Sequence, residues 1–170
     1  GAYFQLSDVL GVDREMSFSL STDKYFHTPL DKHFITADLS DLTQLNLGEM
    51  VDDVYALNAN TEIIEYSNGE VHIAANQFGK GRSVYFSGLP YSFENTRLLI
   101  RSLYYAVNKE ADLFTWFSSN PAVEVNAYPE KGKYAIVNNT NKAQDTLIYD
   151  GNQKTQNVSL AAGEIRWEAI

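Results

Sequence analysis

Cysteine is absent from the 170 residues, which excludes disulfides, thiolate metal sites and every thiol nucleophile. Basic side chains are in deficit: 13 Lys and Arg against 22 Asp and Glu leave a net charge of −9. That balance argues against nucleic acid, whose phosphates need a basic surface, and equally against an anionic membrane surface. No apolar run reaches the ~18–20 residues of a membrane span, and no secretory signal opens the chain. These absences point to a cytoplasmic setting with neither nucleic acid nor membrane as partner. The chain starts Gly1-Ala2 without an initiator Met and runs at once into apolar-rich sequence. That start is expected of a fragment of a longer polypeptide.

What is present is a hydrophobic content of 44%, enough for one domain or two small ones to bury a core. Residues 7–12 predict a short helix, with Ser7 or Asp8 as cap and Gly11 as its end. Residues 15–50 mix short alternating runs with Asp, Thr and Ser breaks, and predict irregular structure with brief strands. From Val54 the pattern sharpens into strands at Val54–Leu57, Thr61–Tyr66, Val71–Gln77 and Ser83–Ser87, rich in β-branched and aromatic residues. Asn68-Gly69 joins the second to the third as a two-residue hairpin. Gly79-Lys80-Gly81 lies between two apolar runs, so its glycines read as hairpin residues supplying φ > 0. A phosphate-binding loop would instead place them between a strand and a helix.

A helix follows, about Phe93 to Val107, with Ser92 as cap and Glu94 in the first turn. Leu99, Leu103 and Ala106, flanked by Ile100, Tyr104 and Val107, predict its buried face, and Arg97 and Arg101 predict a solvated or sheet-edge stripe. One helix cannot cover both faces of an apolar sheet, so further elements upstream of Gly1 are expected on the other face. The texture changes near Phe117–Pro121. Five runs follow at short spacing (Val123–Tyr128, Tyr134–Asn138, Thr146–Tyr149, Asn157–Leu160, Glu164–Glu168), implying an antiparallel sandwich or small barrel. Charge shifts with texture: residues 1–118 carry 8 basic and 16 acidic side chains, a net −8, and residues 119–170 carry 5 and 6, a net −1. The expected division is an α/β part over 1–118 followed by an all-β domain over 119–170.

Candidate chemistry is thin. Acidic pairs such as Asp52-Asp53 and Glu110-Ala111-Asp112 read as solvated faces. His27 and His33 bracket Thr28–Lys32 and read as loop histidines, because a metal site would need further ligands; no metal is expected. His72 alternates with Val71 and Ile73, which places it on the polar face of a strand. Ser87 and Ser92 lack a partner His at a motif spacing, and Gly-x-Ser-x-Gly does not occur. The sequons at Asn138 and Asn157 are discounted as chance triplets. Trp116 and Trp167 could stack on sugar rings, but both read better as packing residues. Tyr91–Asn95, at the end of a buried strand and the start of the helix, is where an open α/β sheet would place a ligand. Glu94 and Asn95 are therefore the candidate substrate-binding residues.

The block Ala74-Ala75-Asn76-Gln77-Phe78-Gly79-Lys80-Gly81-Arg82-Ser83-Val84-Tyr85, then Ser87-Gly88-Leu89-Pro90-Tyr91-Ser92-Phe93-Glu94-Asn95 and Arg97-Leu98-Leu99, carries a family resemblance. So do Phe4–Val12, Trp116-Phe117-Ser118-Ser119-Asn120, Val123-Glu124-Val125, Gly132-Lys133-Tyr134, Val137-Asn138-Asn139-Thr140 and Glu164-Ile165-Arg166-Trp167. Together these resemble the C-terminal region of the 1,3-β-galactosyl-N-acetylhexosamine phosphorylases of glycoside hydrolase family 112. That family comprises lacto-N-biose/galacto-N-biose phosphorylases and galactosyl-rhamnose relatives. The resemblance implies part of a glutamine-amidotransferase-like α/β domain followed by a small antiparallel β-sandwich. It implies a bacterial parent enzyme that cleaves β-galactosyl disaccharides with inorganic phosphate, its co-substrate, to α-galactose 1-phosphate, with no cofactor.

The family's catalytic acid resides in an N-terminal barrel whose motif matches nothing here, so no catalytic residue is carried over. Amidotransferase activity is not carried over either, for want of a nucleophilic Cys. The expected role is structural support of that barrel, the partner within the same polypeptide, with a homodimer contact as a further use of the surface. The rival expectation is a free-standing carbohydrate-binding or interaction module, which would present an exposed Trp or Tyr platform where a structural fragment would bury both tryptophans.

Overall fold

A computed structural model describes residues 2–16, 32–39 and 45–170. The chain divides into two compact units, Gly1–Asn108 and Lys109–Ile170. Among the described residues, every strand ladder is antiparallel and helices are few.

The first unit is built on a meander of β3 (Glu62–Ser67), β4 (Glu70–Phe78) and β5 (Gly81–Phe86). Asn68 and Gly69 both hold positive φ, at 54° and 88°, so the β3–β4 turn has the conformation that an Asn-Gly pair favours. Gly79 turns β4 into β5 with φ 59°. Gly81 does not share that conformation: it is the first residue of β5, paired with Phe78. Only the first glycine of Gly79-Lys80-Gly81 is thus needed for backbone freedom.

Both faces of this sheet are covered by the chain itself. On one side lie α1 (Ser7–Leu10) and a two-stranded ribbon of β1 (Val12–Arg14) and β2 (Val54–Ala56). Val12, Val54 and Ala56 pack there with Ile63, Val71, Ala74 and Tyr85. The Asn76 amide donates to the carbonyls of Asp8 and Val9, which ties α1 to β4. Gly11 ends α1 in the left-handed conformation, as expected, but the residue before Ser7, Leu6, provides no side-chain cap. The expectation that sequence upstream of Gly1 must cover this face is corrected. The β1–β2 ribbon, whose first strand is only three residues long, does so.

On the other side α2 (Phe93–Ala106) packs Leu98 and Tyr105 against Ile64, Ile73, Ala75, Ile35 and Leu47. Ser92 caps α2, its Oγ accepting from the Asn95 amide at 3.0 Å. The orientation of α2 is the inverse of the one its apolar periodicity predicts. Leu99, Leu103 and Val107 are 44%, 60% and 64% exposed, whereas Arg97 and Arg101 are buried. The reason lies in Asp38, beside the short 3-10 turn Phe34–Thr36. Its carboxylate stands 3.5 Å from Arg97 Nε and 3.4 Å from an Arg101 terminal nitrogen. Arg101 Nε also donates to the Phe34 carbonyl, and its guanidinium lies over the Phe34 ring. A half-buried acid with buried carboxylate oxygens and an accepting carbonyl thus hold the arginine stripe inward.

The second unit pairs two three-stranded sheets. One has the order β11 (Ile165–Ala169), β8 (Lys133–Asn138), β7 (Val123–Tyr128). The other has β10 (Thr155–Leu160), β9 (Gln144–Tyr149) and β6 (Phe117–Ser118). Val123, Tyr134 and Ile136 from the first sheet meet Ile148, Val158 and Leu160 from the second in one core, which makes this unit a β-sandwich. Trp116 packs on that core against Tyr134 and over Gly151, where an added Cβ would strike its indole. The side chain of Asn138 is buried and donates to the carbonyls of Lys142 and Ala161, so the first sequon is a structural Asn.

Candidate functional site

The junction between β5 and α2 places Glu94 and Asn95 in quite different situations. Glu94 lies exposed in the first turn of α2. Asn95 is buried, and its amide donates to the carbonyls of Asn46 at 2.8 Å and Pro90 at 2.7 Å. The segment around Asn46 presses closely on this junction: a Cβ on Gly88 would collide with the Leu47 carbonyl. Glycine at 88 is therefore required by close backbone approach, and Asn95 fastens the two segments together. Its Oδ1 is buried and, among the described residues, has no hydrogen-bond partner. The geometry gives Asn95 a positioning task within the junction and leaves Glu94 as the group that meets solvent.

A second polar cluster centres on His33. The residue caps the Phe34–Thr36 turn, Nδ1 accepting from the Ile35 amide at 3.1 Å. Nε2 lies 3.1 Å from Glu62 Oε2, which also accepts from the Tyr105 hydroxyl. An accepting Nδ1 fixes the proton on Nε2, so the imidazole is neutral. Burial lowers the His33 pKa, against an opposing contribution from Glu62. Sequence reasoning took His33 for an ordinary loop histidine and missed this role, because Glu62 lies 29 residues away. His27 lies outside the described residues.

His72 corrects a second expectation. It is buried, not on a polar face, and its Nδ1 lies 3.5 Å from Ser87 Oγ. His72 lies in β4 and Ser87 just past the end of β5, and no sequence motif announces the pair. Among the described residues the His72 Nε2 has no hydrogen-bond partner, and both residues are closed to solvent. A nucleophile–base set needs an orienting third group and access to substrate, so this pair serves packing. Among the described residues no group of three or more His, Asp or Glu could hold a metal ion, and no helix is long and apolar enough to cross a membrane.

The tryptophans separate as well. Trp116 packs as expected, whereas Trp167, also expected to pack, is 52% exposed on the outer face of the β11–β8–β7 sheet. The alternation of β11 explains the difference: Arg166 and Glu168 are the less exposed set, and Ile165 and Trp167 point the other way.

Comparison with known proteins places these features in a family. The model of the lacto-N-biose phosphorylase central domain matches residues 1–111, and that of the lacto-N-biose phosphorylase C-terminal domain matches residues 116–168. A 1,3-beta-galactosyl-N-acetylhexosamine phosphorylase of Lachnoclostridium phytofermentans is 47% identical over 98% of this chain, which spans 22% of that relative. The enzyme of the same name from Bifidobacterium longum subsp. longum is 38% identical over 98% of this chain and 26% of its own length. A D-galactosyl-beta-1->4-L-rhamnose phosphorylase of L. phytofermentans is 24% identical, over 85% of this chain and 19% of its own length. The chain spans about a quarter or less of the relatives it matches. It belongs to the lacto-N-biose phosphorylase family, within the part covered by the central and C-terminal domain models.

Proposed function

We infer that this chain is a non-catalytic portion of a phosphorylase acting on β-galactosyl disaccharides, and that its task is to support a catalytic barrel in the same polypeptide. The observation that carries the reading is the outward face of α2. Leu99, Ile100, Leu103 and Val107 are all exposed there, an apolar stripe of the sort that docking between domains covers. A chain that spans a quarter of its relatives needs such a surface if the remainder is to seat against it. In this reading β3–β4–β5 with α2 is the later part of a glutamine-amidotransferase-like α/β domain, running to about residue 118, and residues 119–170 form the C-terminal β domain. Glu94 is the group of the β5–α2 junction that a substrate would meet, and Asn95 shapes the junction. The parent enzyme would release α-galactose 1-phosphate using inorganic phosphate, in the cytoplasm, and the same apolar stripe could serve a homodimer.

The test is Leu99→Glu with Leu103→Glu, made both in this chain and in the longer polypeptide. Exposed positions tolerate such changes within about 0.5 kcal/mol, so urea unfolding of the chain should barely move. In the longer polypeptide a charge buried at a docking face should lower the thermal midpoint and reduce phosphorolysis of lacto-N-biose. An unaltered longer polypeptide would remove α2 from the docking surface.

A further inference from the structure

The outer face of the β11–β8–β7 sheet carries a composition that packing does not explain. The register puts Trp167 opposite Ala135, and Ala135 opposite Asn126, in one row across three strands. The row on one side is Ile165, Val137 and Glu124; the row on the other is Ala169, Lys133 and Tyr128. Directly paired residues share a face, so all nine side chains project outward together. Tyr128, 43% exposed, meets Trp167 with ring centroids 5.6 Å apart and planes tilted by 41°. The Lys133 ammonium lies 4.4 Å from the Trp167 ring centre. Ala135, between these rows, is buried although it faces outward. The indole still leaves half its surface open.

Two polar groups of this face, Glu124 and Asn126, are uncommitted: both are exposed, and among the described residues their side chains engage no hydrogen-bond partner. Two strand spacings separate Trp167 from Asn126, about 10 Å, a span that two pyranose rings cover. An interface core between proteins is depleted of charge and seeks a continuous apolar surface. Here the exposed apolar groups are the two rings with Ile165 beside them; a carboxylate and an amide lie across the sheet from them, and an ammonium lies over the indole. A sugar requires that combination: an aromatic plane for the C–H face of the ring, with donors and acceptors for its hydroxyls. Galactose suits such a plane well, since its axial 4-hydroxyl leaves the C3, C4 and C5 hydrogens together on the other face.

We propose that the Trp167–Tyr128 platform, with Asn126 and Glu124 across the sheet, is a binding site for β-galactosides. The site lies in the β-sandwich and is built entirely from residues 124–167. It supplies no reacting group. It would hold saccharide near the protein, and its occupancy is independent of any bond cleavage. The choice of a galactoside over other neutral sugars rests on the phosphorylase reading above; the platform does not.

The experiment is titration of the 170-residue chain with lacto-N-biose, lactose and cellobiose, followed by tryptophan emission and by saturation-transfer NMR on the sugar. The expected result is a saturable millimolar response to the two galactosides, weakened about tenfold in Trp167→Ala and severalfold in Asn126→Ala. Asn126 is an exposed strand residue, so its variant keeps the test valid even if Trp167→Ala disturbs the sheet. Absence of a saturable response to all three sugars overturns the proposal, as does a response that neither variant alters. Self-association that Trp167→Ala abolishes, without sugar binding, also overturns it and makes the face a protein contact. Equal responses to cellobiose and the galactosides overturn the galactoside assignment. The phosphorylase reading is tested separately, by galactose 1-phosphate release from the longer polypeptide.

Discussion

Asp38 is the residue on which the first unit turns. Its carboxylate oxygens are buried, and Oδ2 lies 3.4 Å from Arg101 and 3.5 Å from Arg97, so charge attraction rather than close hydrogen bonding joins them. Removing one member of a buried ionic cluster strips compensation from the others, at a cost of about 3–5 kcal/mol. Asp38→Ala should therefore shift the urea midpoint far more than loss of any surface carboxylate, and Asp38→Asn should fail to restore it. A midpoint near wild type for either variant would show that Arg97 and Arg101 do not depend on this acid. His33 sets a pH dependence. Its folded pKa lies below the ordinary value of about 6.5, so the unfolded chain binds the extra proton first as pH falls. The stability associated with its neutral form is complete above that value and declines as pH drops from about 6.5 through the folded pKa. Protonating Nδ1 would also break the cap to the Ile35 amide. His33→Asn, which keeps an acceptor for that amide, should flatten the difference in unfolding free energy between pH 7 and pH 5.5. An unchanged pH slope would contradict the assignment.

At the level of elements, the sequence is legible where a local rule decides and illegible where a distant partner does. Asn68-Gly69 and Gly79 announce their hairpins because turn geometry needs φ > 0 there. The five runs of the β-sandwich emerge within two residues of their observed bounds, since period-2 alternation and turn clusters are local signals. The extent of α2 and its Ser92 cap follow for the same reason. Which face α2 buries does not. Leu99 and Leu103 outrank arginine on any apolar scale, yet Asp38 and the Phe34 carbonyl lie more than fifty residues upstream, and periodicity cannot register them. Strand β1 escapes notice because three residues are too few to alternate. The tolerance of Leu99→Glu and Leu103→Glu in this chain measures the inversion directly: residues that periodicity assigns to the core should behave as surface. Of the candidate site, the position of the β5–α2 junction was readable, but not the division of labour between buried Asn95 and exposed Glu94. The His33–Glu62–Tyr105 cluster comes from pairings between separate segments, and no spacing encodes it; alternation groups Trp167 with Ile165 but does not say which face of β11 turns outward.

For the molecule as a whole, two compact units with separate cores expose, among the described residues, the apolar stripe of α2 in the first and the aromatic platform in the second. The two surfaces have different chemistry. The stripe of α2 is aliphatic and suits burial against protein, whereas the platform mixes rings with free polar groups and suits a sugar. The family relationship joins them, because its members bear names of galactosyl disaccharide phosphorylases four or more times as long as this chain. The central claim is that these 170 residues support such chemistry without performing it. Its most direct measurement is galactose 1-phosphate release from lacto-N-biose and inorganic phosphate, assayed for this chain alone and for the longer polypeptide at equal molar concentration. The account predicts turnover by the longer polypeptide and none by the chain. Galactose 1-phosphate formed by the chain alone would contradict it, and would require a proton donor among the carboxylates read above as surface.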